Sequence, residues 1–208
     1  ELPEFNRKAL EVLRQPLEDR KVSISRAKFA VDYPAGFMLV AGMNPCPCGY
    51  YNHPDKPCVC PPGAVQKYLS RVSGPLLDRI DLHVEITPVP FEALASKSPG
   101  EPSECIRARV VRARERQRLR FQRLGTPGVY ANAHMNAKMV REVCTIDPVG
   151  MKILQTAMER FQLSARAYDR ILKVSRTIAD LEDSENIQVH HVAEAVQYRN
   201  LDREGWAG

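Results

Sequence analysis

The stretch Phe37-Met38-Leu39-Val40-Ala41-Gly42-Met43-Asn44 runs directly into Pro45-Cys46-Pro47-Cys48-Gly49-Tyr50. Its apolar residues follow one another without alternation and stop at Asn44-Pro45. That is the pattern of a strand buried on both faces, typical of a parallel sheet. In open α/β sheets the C-terminal tip of such a strand faces the crevice where ligands bind. The tip here is an amide, Asn44, followed by a cysteine-rich loop. An amide so placed can orient an attacking water or sense a terminal phosphate. It can equally form an Asn-Pro turn that ends the strand.

Upstream, apolar residues at Phe5, Ala9, Leu10, Val12 and Leu13 give a helix over 5–13, with Asn6 as its cap and Pro16 as its stop. Val22-Ser23-Ile24 and Phe29-Ala30-Val31 alternate on either side of Ser25-Arg26-Ala27-Lys28, which predicts a β-hairpin with a basic tip. Arg26 and Lys28 are ordinary for an exposed turn, and a basic projecting hairpin is also a way to grip a nucleic-acid strand. Downstream, residues 64–72 read as a helix that Gly74-Pro75 breaks, and 76–81 as a compact turn. Leu82 to Ile86 alternates as a strand, and Pro88 and Pro90 end the sheet region. The Pro/Ser/Gly-rich stretch 97–103 is a linker.

From Cys105 to Leu124 there are eight Arg and one Glu, a local charge of +7 in a chain whose total is +5. Ile106, Val110, Ala113, Gln117, Phe121 and Leu124 form one stripe of this helix, and arginines fill the rest of its circumference. Such a helix can bind nucleic-acid phosphate, pack against an acidic neighbouring subunit, or be a solvated face. Four further helices are predicted over 133–144, 147–161, 164–181 and 189–201, the second opened by the cap-and-proline pair Asp147-Pro148. The expected architecture is α/β plus all-α: an α/β portion over 1–90, a linker and basic helix over 91–128, and a helical portion over 129–208.

Six cysteines, four of them in Cys-x-Cys pairs, suit a reducing compartment better than a disulfide framework. With no secretory signal pattern and no apolar run near the roughly 18 residues of a membrane span, the expectation is a soluble cytoplasmic protein. Cys46, Cys48, Cys58 and Cys60 can supply four thiolates to a structural Zn²⁺, with His53 as a substitute ligand, or can remain reduced, partly buried thiols. Arg79, between Asp78 and Asp81, suits two local ion pairs, or else reaches across a subunit boundary to a phosphate. Arg166 and Arg170 share one helix face, where they are either solvated or in contact with phosphate. The chain opens at Glu1-Leu2-Pro3-Glu4-Phe5 without an initiator Met, which reads as the interior of a longer polypeptide.

The order of five segments carries more information than any one of them. They are Glu1-Leu2-Pro3-Glu4-Phe5, Arg14-Gln15-Pro16-Leu17-Glu18-Asp19, Met43 to Tyr50, Ser73-Gly74-Pro75-Leu76-Leu77-Asp78-Arg79-Ile80-Asp81, and Leu163 to Leu181. In this order the chain resembles the magnesium-chelatase-like branch of the AAA+ ATPases, of the ComM/YifB type, over nearly all of its length. The resemblance implies that Glu1 is the catalytic glutamate of the Walker B motif, Asn44 sensor 1, Arg79 a trans-acting arginine finger, and Arg166 sensor 2, with Arg170 the weaker candidate. It implies that the hairpin bearing Arg26 and Lys28 faces the pore of a ring, a hexamer, and that the last helices form the AAA+ lid.

ATP with Mg²⁺ as cofactor and DNA as partner follow from the same resemblance, and no membrane is implied. No Gly-x-x-x-x-Gly-Lys-Ser/Thr occurs in these 208 residues, so this stretch alone is expected neither to bind ATP well nor to hydrolyse it. Two other functions fit the same residues: a motor subunit for inserting Mg²⁺ into a tetrapyrrole, and a non-catalytic, zinc-dependent nucleic-acid-binding module.

Overall fold

A computed structural model describes residues 1–89, 91, 95 and 99–199. The chain divides into two compact units near Thr87 and Pro88. It is a mixed α/β molecule whose described sheet has two strands.

The first unit begins with a 3₁₀ turn, Leu2–Glu4. Asn6 then caps α1 (Arg7–Val12), its side chain accepting from the Lys8 N–H at 2.9 Å. The chain breaks at Leu13 and resumes as α2 (Arg14–Asp19). Pro16 was expected to stop a helix and instead sits in the first turn of α2. The missing N–H costs nothing there, because the first four donors of a helix have no intrahelical partner. Arg20, in the left-handed region at φ 56°, ends α2 and turns the chain into the hairpin.

Strands β1 (Lys21–Arg26) and β2 (Phe29–Pro34) pair antiparallel with Lys21 opposite Pro34 and Arg26 opposite Phe29. That register leaves a two-residue tip, Ala27-Lys28, tighter than the four-residue turn the pattern suggested. Asp32 ties the strands together by accepting from Lys21 Nζ and Ser23 Oγ, each at 2.6 Å.

The apolar run 37–44 is not a buried strand. It carries no ladder, and Met38 and Val40 are 86% and 81% exposed. Leu82 to Ile86, also expected as a strand, likewise joins no ladder, and Leu82, Val84 and Ile86 are exposed although His83 between them is buried. The physical reason is the same for both. Apolar residues on both faces are covered only when strands lie alongside and layers lie above and below, and among the described residues the one hairpin supplies neither. What core this unit has is small: Leu2, Leu10, Val72 and Leu76, with Leu13, Leu17, Met43 and Leu77 against them. Two short helices, α3 (Ala64–Leu69) and α4 (Gly74–Leu77), deliver part of it.

The second unit contains α5 (Ser103–Arg123), α6 (Ala137–Val143), α7 (Pro148–Arg160), α8 (Ala165–Leu181) and α9 (Val189–Gln197). The basic helix α5 is thus part of this unit and packs against α8. Three helices start on side-chain caps: Asn136 accepts from Met139 N–H, Asp147 from Gly150 N–H and Ser164 from Ala167 N–H. Their apolar faces meet around Phe121, Met139, Val140, Leu154, Ile171, Leu172 and Val192. Of the stripe predicted on α5, Ala113, Gln117 and Phe121 are buried, whereas Ile106 and Val110 are exposed. Part of the predicted linker (97–98), Pro90 and the predicted end of the last helix at 201 lie outside the described residues.

Inside this core lies an ionic knot. Asp180, fully buried, accepts two hydrogen bonds from the Arg120 guanidinium and one from Asn132 Nδ2 (2.8 Å), and Arg176 approaches it at 3.2 Å. Arg176 also donates to the carbonyls of Ser184 (2.7 Å) and Glu185 (2.8 Å) just beyond α8. Removing one member of a buried pair leaves an uncompensated charge, which costs about 3–5 kcal/mol. Asp180→Ala is therefore expected to destabilise the second unit by about that amount, read as a lowered urea midpoint. An unchanged midpoint would show that the knot contributes nothing to stability.

Candidate functional site

Glu1 and Asn44 are distant in sequence, but a main-chain hydrogen bond joins the segments that carry them. The Leu2 N–H donates to the Gly42 carbonyl at 2.9 Å, so the first residues of the chain lie alongside the end of the apolar run. Leu2 is buried in the small core and Met43 packs against it, while Glu1 and Asn44 themselves are exposed. Tyr68, buried on α3, completes the group by receiving the Asn44 main-chain N–H at its hydroxyl. Burial pushes the Tyr68 phenol up, the Glu4 carboxylate reinforces the effect, the Asn44 N–H opposes it, and Glu1 adds to it. Tyr68 cannot be singled out from the residues alone, because an aromatic on a short amphipathic helix has the same signature whether it packs a core or borders a site.

Arg79 is folded against its own subunit. Its side chain is 10% exposed, with one guanidinium N–H donating to the Pro75 carbonyl at 2.6 Å and Nε lying 3.3 Å from Glu18 Oε2 on α2, an ion pair without an aligned hydrogen bond. It borders an open cleft of about 480 Å³ whose walls also carry Glu11, Glu18 and Asp19. Arg14 faces the same cleft, so three carboxylates and two guanidiniums line it. The Glu18 partner could not be read from the local Asp-Arg-x-Asp pattern, since it lies on a different helix. Arg26 and Lys28 are exposed at the hairpin tip. Arg166 is exposed in the first turn of α8 and Arg170 is half-buried one turn on; both belong to the second unit.

The four paired cysteines do converge. Their sulfurs all lie within 4.8 Å of one another, with Cys46–Cys48 at 3.3 Å, Cys48–Cys58 at 3.5 Å and Cys46–Cys58 at 3.8 Å. The Tyr50 N–H holds the Cys48 thiol down to about 6. His53, considered as a substitute ligand, is otherwise engaged: its Nδ1 accepts from the main-chain N–H groups of Asp55 (3.0 Å) and Lys56 (3.1 Å). Cys105 is exposed on α5 and Cys144 is buried at the end of α6, both remote from this cluster in sequence.

Two family models match the chain. Magnesium chelatase, subunit ChlI, matches residues 1–94, and the C-terminal model of the same subunit matches 100–199. The uncharacterised protein YifB of Escherichia coli is 42% identical over 98% of this chain and 38% of its own length. Competence protein ComM of Haemophilus influenzae shows the same identity and the same coverage. YifB of Salmonella typhimurium is 41% identical, again over 98% of this chain and 38% of its own. The chain therefore spans well under half the length of these relatives.

A second cluster, Glu182 with His190 and His191, ties the end of α8 to the start of α9. His191 Nδ1 accepts the Gln188 N–H at 2.8 Å, which leaves its Nε2 protonated and donating to Glu182 at 3.0 Å. His190 reaches the same carboxylate at 2.9 Å. These contacts, His190 first and then His191, hold the Glu182 carboxyl below its ordinary 4.5. A depressed carboxyl stabilises the fold above its unfolded pKa and loses that contribution as pH falls through the folded value. The stability difference between wild type and Glu182→Gln should accordingly shrink on going from pH 7 to below about 4, measured by urea unfolding at each pH.

Proposed function

Because the chain belongs to the magnesium chelatase family of subunit ChlI and its C-terminal region, we propose that it is the second half of an AAA+ α/β core followed by its helical lid, within an ATP-driven ring motor that remodels DNA by branch migration or unwinding. The observation that supports this most directly is the hydrogen bond from Leu2 to Gly42, which gathers Glu1 and Asn44 at one end of the first unit. A carboxylate and an amide so gathered are the two groups needed to polarise and orient a water for attack on a γ-phosphate. No Gly-x-x-x-x-Gly-Lys-Ser/Thr loop lies within these 208 residues, so the phosphate cradle and the groups that would hold Mg²⁺ come from outside them. Mg²⁺ would supply charge neutralisation on the transferred phosphoryl group.

Arg79 serves as the finger lent to the neighbouring subunit's nucleotide, which requires it to give up the Glu18 contact on engagement. Arg166, with Arg170 beside it, contacts the nucleotide from the lid. Arg26 and Lys28 at the hairpin tip, and the arginines of α5, meet DNA phosphate. The name of the Haemophilus influenzae relative, a competence protein, favours DNA over a tetrapyrrole as what the motor acts on.

The test uses the full-length protein and its DNA-stimulated ATP turnover. Glu1→Gln, Asn44→Ala and Arg79→Ala should each lower kcat about 100-fold or more. Mixing Glu1→Gln with Arg79→Ala subunits should restore part of the activity, since some interfaces then carry an intact glutamate and an intact finger. Full activity of the Arg79→Ala protein alone would remove the finger assignment. Arg26→Ala combined with Lys28→Ala should flatten the dependence of log affinity on log salt by about two units.

A further inference from the structure

We infer that Cys46, Cys48, Cys58 and Cys60 bind one Zn²⁺ as four thiolates, and that this ion fixes the segment ending in Asn44. Four sulfurs around a tetrahedral zinc at about 2.3 Å must lie about 3.8 Å from one another. The distances of 3.3, 3.5 and 3.8 Å are close to that edge length. They are far from a disulfide, which needs about 2.05 Å. The donor set is all sulfur, the choice of zinc over hard, oxygen-seeking cations.

Apart from short turns and the contacts of His53 with Tyr50, Asp55 and Lys56, the loop that carries these residues has little to keep it folded. Residues 45–63 form turns but neither helix nor strand, and Cys46 is the sole buried residue among them. Val59, between two of the ligands, is 75% exposed. A loop of this length without an apolar core needs a fastener, and a metal supplies folding free energy directly. The main chain is already wrapped for anions. The N–H groups of Tyr50 and Val59 point at the Cys48 sulfur, that of Cys60 at Cys58, and that of Cys48 at Cys60. Such amide-to-sulfur bonds orient and stabilise metal-bound thiolates. On binding, each thiol passes its proton to solvent, and the ion and four thiolates form a site of net charge −2.

Asn44 lies two residues before Cys46. On one side Met43 is anchored in the small core, and the Asn44 N–H is taken by Tyr68. On the other side the first ligand is held by the metal. The ion thus completes a two-sided clamp on the amide. This inference concerns metal and main chain, so it stands apart from the ATPase reading and can fail without it.

The test is made on the full 208-residue chain, purified under reducing conditions without chelator. Metal analysis should find one zinc per chain. A mercurial should release it while titrating four thiols, and Co²⁺ should replace it with the visible bands of a tetrahedral tetrathiolate. Cys58→Ser should lose the metal, and Cys105→Ser, altered at an exposed cysteine outside the cluster, should keep it. Stripping the zinc with thiols kept reduced should speed amide hydrogen exchange across 43–62 about tenfold or more, and leave α6 to α9 unchanged. The metal site is overturned by a chain that neither carries nor takes up an equivalent of zinc, by iron in its place, or by full metal content in Cys58→Ser. The clamp on Asn44 is overturned if exchange over 43–50 is the same with and without the ion.

Discussion

A single carboxylate with no access to water sets the conditions for the second unit. A buried carboxylate is tolerated only where cations and donors surround it, and Arg120, Arg176 and Asn132 surround Asp180 from three different parts of the chain. That requirement explains why α5, which carries eight arginines in or near its length, docks on α8 and does not float free. It also explains why the excess charge is tolerable. Arg176 also donates from its two terminal nitrogens to the carbonyls of Ser184 and Glu185, where the end of α8 has negative potential to spare. Gln117, buried on the same face of α5, accepts the Asn132 N–H and extends the polar network by one step.

The first unit solves the opposite problem. It has little apolar core, and its order comes from local devices: a capped helix, a left-handed residue at Arg20, a hairpin cross-tied through Asp32, and a cysteine cluster in place of buried side chains. The candidate site residues of this unit are held both by turns near them in sequence and by the Leu2–Gly42 hydrogen bond across it. Glu1 is placed by the turn at Leu2–Glu4, and Asn44 by the loop that follows it.

Much of this was legible in the residues, for reasons that differ by element. The caps at Asn6 and Asp147 act within three residues of themselves, so their chemistry is visible in a short window. The hairpin was visible because alternation on both sides of a polar tip is a local signal. The convergence of the cysteines was visible from spacing. The strand over 37–44 was misread because its burial depends on neighbouring strands that a window of eight residues cannot report. The Arg120–Asp180 and Arg79–Glu18 pairs were invisible for a related reason: an arginine on a charged helix looks solvated until the fold brings a distant carboxylate to it.

The two bare apolar runs have a consequence for how the chain behaves in a crowded solution. Backbone outside any ladder, bearing Met38, Val40, Val84 and Ile86 outward, is a template on which another chain can add itself. The run from Phe37 to Met43 has no charged gatekeeper, whereas Glu85 interrupts the second. Handled by itself, this polypeptide is therefore one whose shelf life is set by self-adhesion and falls with its own concentration, well before heat or denaturant loosens the helical half.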